Sequence, residues 1–282
     1  DKTFWTEVNA LANYYSKQGI HINRDTCYLN HILTYVKEGK MKGLNNRILR
    51  ECGAELKFYP GLPLFFKQIK ELIENDSNYK SCDIRLEHYV VSTGFAETIQ
   101  GSAIAPYVDG IFGCEFIETP APSGFIAEYS NSKENEISQI AIALDNTSKT
   151  RYLFEINKGS NKFPETIDVN SFIEPENRRI PFRNMLYIAD GPSDVPAFSI
   201  LNNHQGSTFA IYPKGDSKAF KQVEQLRKDK RIETFGEADY SEGTHTWMWL
   251  TTRVKEIADG ILKRHKDTLQ KSSSVPPGHL SL

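Results

Sequence analysis

Apolar residues recur at helical spacing from the first residues onward. Phe4, Trp5, Val8, Leu11, Ala12 and Tyr15 predict a first helix that Gly19 ends. A second runs from Asp25 through Leu29, Ile32, Leu33 and Val36 until Gly39, Lys40 and Gly43 break it. A short third covers residues 44–52. No period-two alternation occurs before residue 57. Beyond Tyr59-Pro60-Gly61 the pattern changes. An amphipathic helix at 62–74 leads into short apolar runs alternating with helices. Strands are predicted at 88–91, 110–116, 185–189 and 208–212, with a further apolar run at 137–144. Helices are predicted at 95–103, 149–157, 195–201, 218–228 and 244–263. Such alternation predicts an α/β fold with a parallel sheet flanked by helices. It also divides the chain into a helical block at 1–57, an α/β core at 58–265 and a weakly structured tail at 266–282.

Composition narrows the classes. With 282 residues, 39% of them hydrophobic, the chain can bury a sizeable core in one or two domains. A formal charge of -2 excludes a strongly basic binder working by counterion release, so no nucleic-acid partner is expected. A mean hydropathy of -0.48 and the lack of an 18-residue apolar run argue against a membrane span. Cys27, Cys52, Cys82 and Cys114 form no CxxC pair and have no histidine at zinc-ligand spacing. They read as reduced thiols of a cytoplasmic protein.

In an open parallel sheet, ligands gather beyond the carboxyl ends of the strands. After Val90-Val91 comes Ser92-Thr93-Gly94, a turn that can offer a hydroxyl and backbone N–H groups to a phosphate. After Tyr187-Ile188-Ala189 comes Asp190-Gly191-Pro192-Ser193-Asp194. Its two carboxylates, one at a strand end and one opening a helix, suit a hard divalent cation such as Mg²⁺. Lys149 opens a helix that Thr147-Ser148 is expected to cap. Its charge there opposes the helix dipole, which points to an anion nearby. Each feature alone has a plainer reading: a turn, an N-cap, a surface lysine. Their order, strand-Ser then helix-Lys then strand-Asp-Gly-x-x-Asp, makes a common anion and cation site the stronger expectation.

That order resembles the haloacid dehalogenase superfamily of phosphohydrolases over roughly residues 58–260. The most specific part is 185–194, similar to the family's fourth motif of an apolar strand followed by DGxxD, with Ala189 where glycine is usual. Val90-Val91-Ser92-Thr93-Gly94-Phe95 is similar to the second motif of phosphoserine-phosphatase-like members, and Lys149 to the third-motif lysine, with Lys158 as its rival. The resemblance implies a Rossmannoid sheet with a helical cap at 1–57 and Mg²⁺-dependent hydrolysis of a small phosphorylated metabolite through an aspartyl-phosphate. It assigns the metal to Asp190 and Asp194, and the phosphate to Ser92, Thr93, Gly94 and Lys149. The family's first motif, DxDx[TV], with nucleophile and general acid/base, does not occur in residues 1–282. The expectation is therefore a further central strand, about 10–20 residues with its loop, upstream of residue 1 and between the strands ending at Ser92 and Asp190. The rival reading is a non-catalytic anion-binding relative.

Overall fold

The computed structural model describes residues 2–124 and 135–273. In chain order the helices and strands are α1 (Lys2–Ser16), α2 (Cys27–Lys37), α3 (Asn46–Cys52), α4 (Leu64–Glu74), α5 (Ser77–Lys80), β1 (Tyr89–Phe95), α6 (Ala96–Gln100), β2 (Gly110–Ile117) and β3 (Gln139–Ile142). They continue with α7 (Lys149–Lys158), β4 (Leu186–Ala189), α8 (Val195–Asn203), β5 (Ser207–Tyr212), α9 (Ser217–Lys228), β6 (Thr234–Glu237) and α10 (His245–Ser273). The chain forms two compact units, Asp1–Lys57 with Tyr89–Tyr152, and Phe58–His88 with Leu153–Leu282. The helical block therefore shares a unit with residues that the pattern alone assigns to the core.

In the first unit, the apolar stripes of α1 (Phe4, Val8) and α2 (Leu29, Ile32, Tyr35, Val36) pack into one core with Cys114 and Phe116 of β2 and with Ile137 and Leu144. The sheet order is β1-β2-β3. β1 and β2 are parallel, but β3 pairs antiparallel to β2, which corrects the all-parallel expectation. Along β3 burial alternates between exposed and half-buried. An antiparallel strand at a sheet edge tolerates one wet face, whereas strands of an all-parallel sheet are covered on both.

The second unit holds the parallel sheet β4-β5-β6, flanked by helices. Side chains alternate across it as the pleat requires. Tyr187, Ala189, Ala210, Tyr212 and Phe235 face Phe198 of α8 and Val223 and Leu226 of α9. Leu186, Ile188, Phe209 and Ile211 face Phe65 and Ile69 of α4 and Leu250 and Val254 of α10. Phe198 is fully buried and meets the Tyr187 ring edge-on at 5.6 Å. Phe198→Ala is expected to cost about 3–5 kcal/mol of stability in urea unfolding, because the hole it leaves cannot collapse between a helix and a sheet.

β6 is absent from the periodicity reading. It is four residues long and contains Gly236, where a Cβ would stand 2.5 Å from Thr246 Oγ1 and 2.9 Å from Phe209 Cζ. Close approach to α10 requires glycine there and removes the strand's apolar signature. α10 continues to Ser273, well into the expected tail, and residues 274–282 lie outside the described residues. No helix among the described residues is long and apolar enough to cross a membrane.

Candidate functional site

β1 follows β2 in regular parallel register from Tyr89↔Gly110 to Val91↔Phe112, then resumes only at Phe95↔Cys114. Ser92, Thr93 and Gly94 are thus lifted out of the ladder as a bulge, a device that re-aims backbone groups at a strand end. Within the bulge the Gly94 N–H donates to Ser92 Oγ at 3.0 Å. The Thr93 carbonyl points the other way and accepts from Tyr28 Oη at 2.5 Å and from Cys114 Sγ at 3.4 Å.

Lys149 is the first residue of α7. The carboxylate of Asp145 accepts from the N–H groups of Thr147 (3.0 Å) and Ser148 (2.7 Å), and Ser148 Oγ accepts in return from the Asp145 N–H at 2.7 Å. This reciprocal arrangement corrects the expected cap: the capping side chain is Asp145, three residues ahead of the serine that answers it. Asn23 adds an amide to Asp145 Oδ2 at 2.8 Å. Donation from the Ser148 N–H, with the Ser148 hydroxyl and Asn23, holds the Asp145 carboxyl below the usual carboxylate range. A depressed folded-state value stabilises the fold above the unfolded carboxylate value of about 3.9, and the gain is lost as pH falls through the folded value. Asp145→Ala is expected to lower stability by about 1 kcal/mol at neutral pH. The variant should also lose part of the wild-type acid dependence below about pH 4 in urea titrations.

Lys149 itself is 94% buried by side-chain and backbone accessibility together, being 6% exposed. The link between this lysine's helix and the Ser92 turn is Cys114, itself 1% exposed. The same sulfur that donates to the Thr93 carbonyl also accepts from the Leu144 N–H at 3.3 Å, one residue before the Asp145 cap. The structure therefore brings Ser92, Thr93 and Gly94 and the start of α7 into one unit around one sulfur atom. The rival Lys158 lies in the other unit, where its ammonium donates to the carbonyls of Val169 (2.5 Å) and Ser171 (2.7 Å) and so ties down a loop.

Asp190 and Asp194 belong to the second unit. Asp190 follows β4 and is exposed; Gly191, buried behind it, is fully extended. Asp194 is 3% exposed, and both its oxygens accept hydrogen bonds, Oδ1 from Tyr187 Oη at 2.8 Å and Oδ2 from Ser193 Oγ at 3.1 Å. Burial, and then the negative charge of Asp194, push the Tyr187 hydroxyl far above its ordinary range, so it stays a donor. Among the described residues no group of three or more His, Cys, Asp and Glu side chains converges on a metal position. Asp190 alone is an open carboxylate here, which suits an ion such as Mg²⁺ that keeps several of its waters. Of the pair, Asp190 is the one presented outward, and Asp194 anchors the loop that presents it. The amino ends of β5 and β6, the opposite rim of this sheet, carry an open cavity of about 500 Å³ lined by Asn202, Arg227, Lys228, Lys230, Ile232 and Glu233. That cavity is separate from Asp190.

Some polar residues of the helical block pair within it, while Arg50 reaches Glu97 and Asn46 donates to the Phe116 carbonyl. His31 and Tyr35 both bind Glu7 Oε2 (2.7 and 2.8 Å), and Arg47 pairs with Glu51 one turn on. The residues that sequence reasoning missed are Tyr28, Cys114, Asn23 and Asp145. Only Asp145 had a local signal, the Asp-x-x-Ser spacing of a capping box.

The fold and the clustered residues define the chain as a mixed α/β protein with small sheets, mostly parallel, whose chemistry-bearing side chains stand at strand ends. The chain is 39% identical over 257 residues, covering 89% of its length and 86% of the relative's, to an uncharacterized protein of Borreliella burgdorferi, and it belongs to that protein's family. No family model matches the chain, and no solved structure matches it.

Proposed function

We propose that the chain is a phosphohydrolase of the haloacid dehalogenase type, acting with Mg²⁺ on a small phosphomonoester. The observation that carries this reading is the junction at Cys114, where the Ser92–Gly94 bulge and the segment leading into the helix of buried Lys149 meet. Ser92 and the N–H groups beside it would hold phosphoryl oxygens, and the Lys149 ammonium would balance their charge. Asp190 would hold Mg²⁺ at the carboxyl end of β4, where the ion would supply positive charge.

The reading needs an aspartate nucleophile on a further strand. In its support, among the described residues β1 and β4 are each an edge of their own sheet and half-buried along their whole length. An edge strand of a parallel sheet is a template for another strand. The lack of DxDx[TV] in residues 1–282 favours the second reading, an anion-binding relative without hydrolytic activity. Turnover of 4-nitrophenyl phosphate with and without Mg²⁺, alongside calorimetric binding of inorganic phosphate, separates the two. Metal-dependent turnover supports the hydrolase, binding without turnover supports the binder, and neither refutes both.

A further inference from the structure

We infer that Tyr28, from the helical block, is a positioning residue for the Ser92–Gly94 turn; this rests on the phosphate reading of that turn. The peptide unit between Thr93 and Gly94 is planar, with its C=O and N–H antiparallel, so fixing either end fixes the other. Its carbonyl is held by Tyr28 Oη at 2.5 Å and Cys114 Sγ at 3.4 Å, and its N–H donates to Ser92 Oγ at 3.0 Å. A hydroxyl has one proton and two acceptor positions. Gly94 fills one acceptor position and leaves the Ser92 proton, which in this reading is donated to an anionic oxygen. Tyr28 thereby sets the direction in which Ser92 donates.

The tyrosine is suited to this duty. Its ring lies 5.8 Å from those of both Trp5 and Phe95, which fixes its tilt from either side. Burial, and then the neighbouring Cys114, raise its hydroxyl far above the ordinary tyrosine range, so it keeps its proton and stays a donor. Phenylalanine at position 28 would keep both ring contacts and remove only the donor.

The test uses the whole chain with inorganic phosphate as the probe. Tyr28→Phe is expected to weaken phosphate binding by about 3–10-fold, the worth of one net hydrogen bond. It should also shift the Gly94 amide resonance and speed that amide's hydrogen exchange. If an active form is assayed, KM should rise with kcat nearly unchanged. Cys114→Ala removes the other donor to the same carbonyl and gives the same readouts if Tyr28→Phe does not fold, while Cys114→Ser, which restores a donor, should return the Gly94 signal toward wild type. An unmoved Gly94 amide with unchanged phosphate affinity in Tyr28→Phe, while Lys149→Ala weakens binding, overturns the role of Tyr28 alone. Equal phosphate affinity in the wild type and Lys149→Ala removes the underlying reading and the inference with it.

Discussion

Replacing Lys149 by alanine is expected to weaken binding of inorganic phosphate by about 10–100-fold, the range for losing a charge-assisted hydrogen bond in a water-poor site. The lysine is buried at the start of a helix whose first turn is capped by Asp145 and Ser148. Lys158→Ala serves as the contrast. That ammonium holds the carbonyls of Val169 and Ser171, so its loss should loosen the loop and reduce stability without changing phosphate affinity. Calorimetry on both variants decides the matter; the reverse pattern would give the anion to Lys158.

Asp190→Asn is expected to lower Mg²⁺-dependent hydrolysis of an aryl phosphate by at least about 100-fold, since it takes a full negative charge from the residue assigned to the cation. Because Asp190 is exposed, unfolding free energy should move by no more than about 0.5 kcal/mol. Asp194→Asn should behave differently. Its carboxylate is buried and accepts from Tyr187 and Ser193, so the change should reduce stability as well as activity. Undiminished turnover in Asp190→Asn would remove Asp190 from the metal assignment.

Much of the second unit was legible in advance because its chemistry is local. The 3.6-residue stripe of α4 and the unbroken apolar runs of β4 and β5 follow from which faces must be buried, one for the helix and both for the strands, and the chain states that directly. β6 was hidden because packing against α10 demanded glycine within it. The antiparallel β3 was hidden because its alternating residues suit either pairing, and direction is fixed by the return of the chain rather than by residue type. The candidate site divides the same way. Lys149, Asp190 and Asp194 each sit at an element boundary with a recognisable turn or cap, and Ser92 opens a bulge within β1 that its Ser-Thr-Gly sequence marks. Tyr28 and Cys114 do not: they reach the Thr93 carbonyl from 65 and 21 residues away, and nothing local marks them. The grouping of the helical block with residues 89–152 was likewise unreadable, because it rests on a core shared by α1, α2 and β2.

The central claim is that the Ser92 turn and Lys149 hold one anion. Its most direct measurement is a phosphate titration followed by nuclear magnetic resonance, reading the Gly94 amide and the Lys149 side chain together. The account predicts that both signals move and saturate with a single dissociation constant, and that Lys149→Ala abolishes the Gly94 response at the same phosphate concentrations. Signals that stay still, or that move with unrelated midpoints, would contradict it.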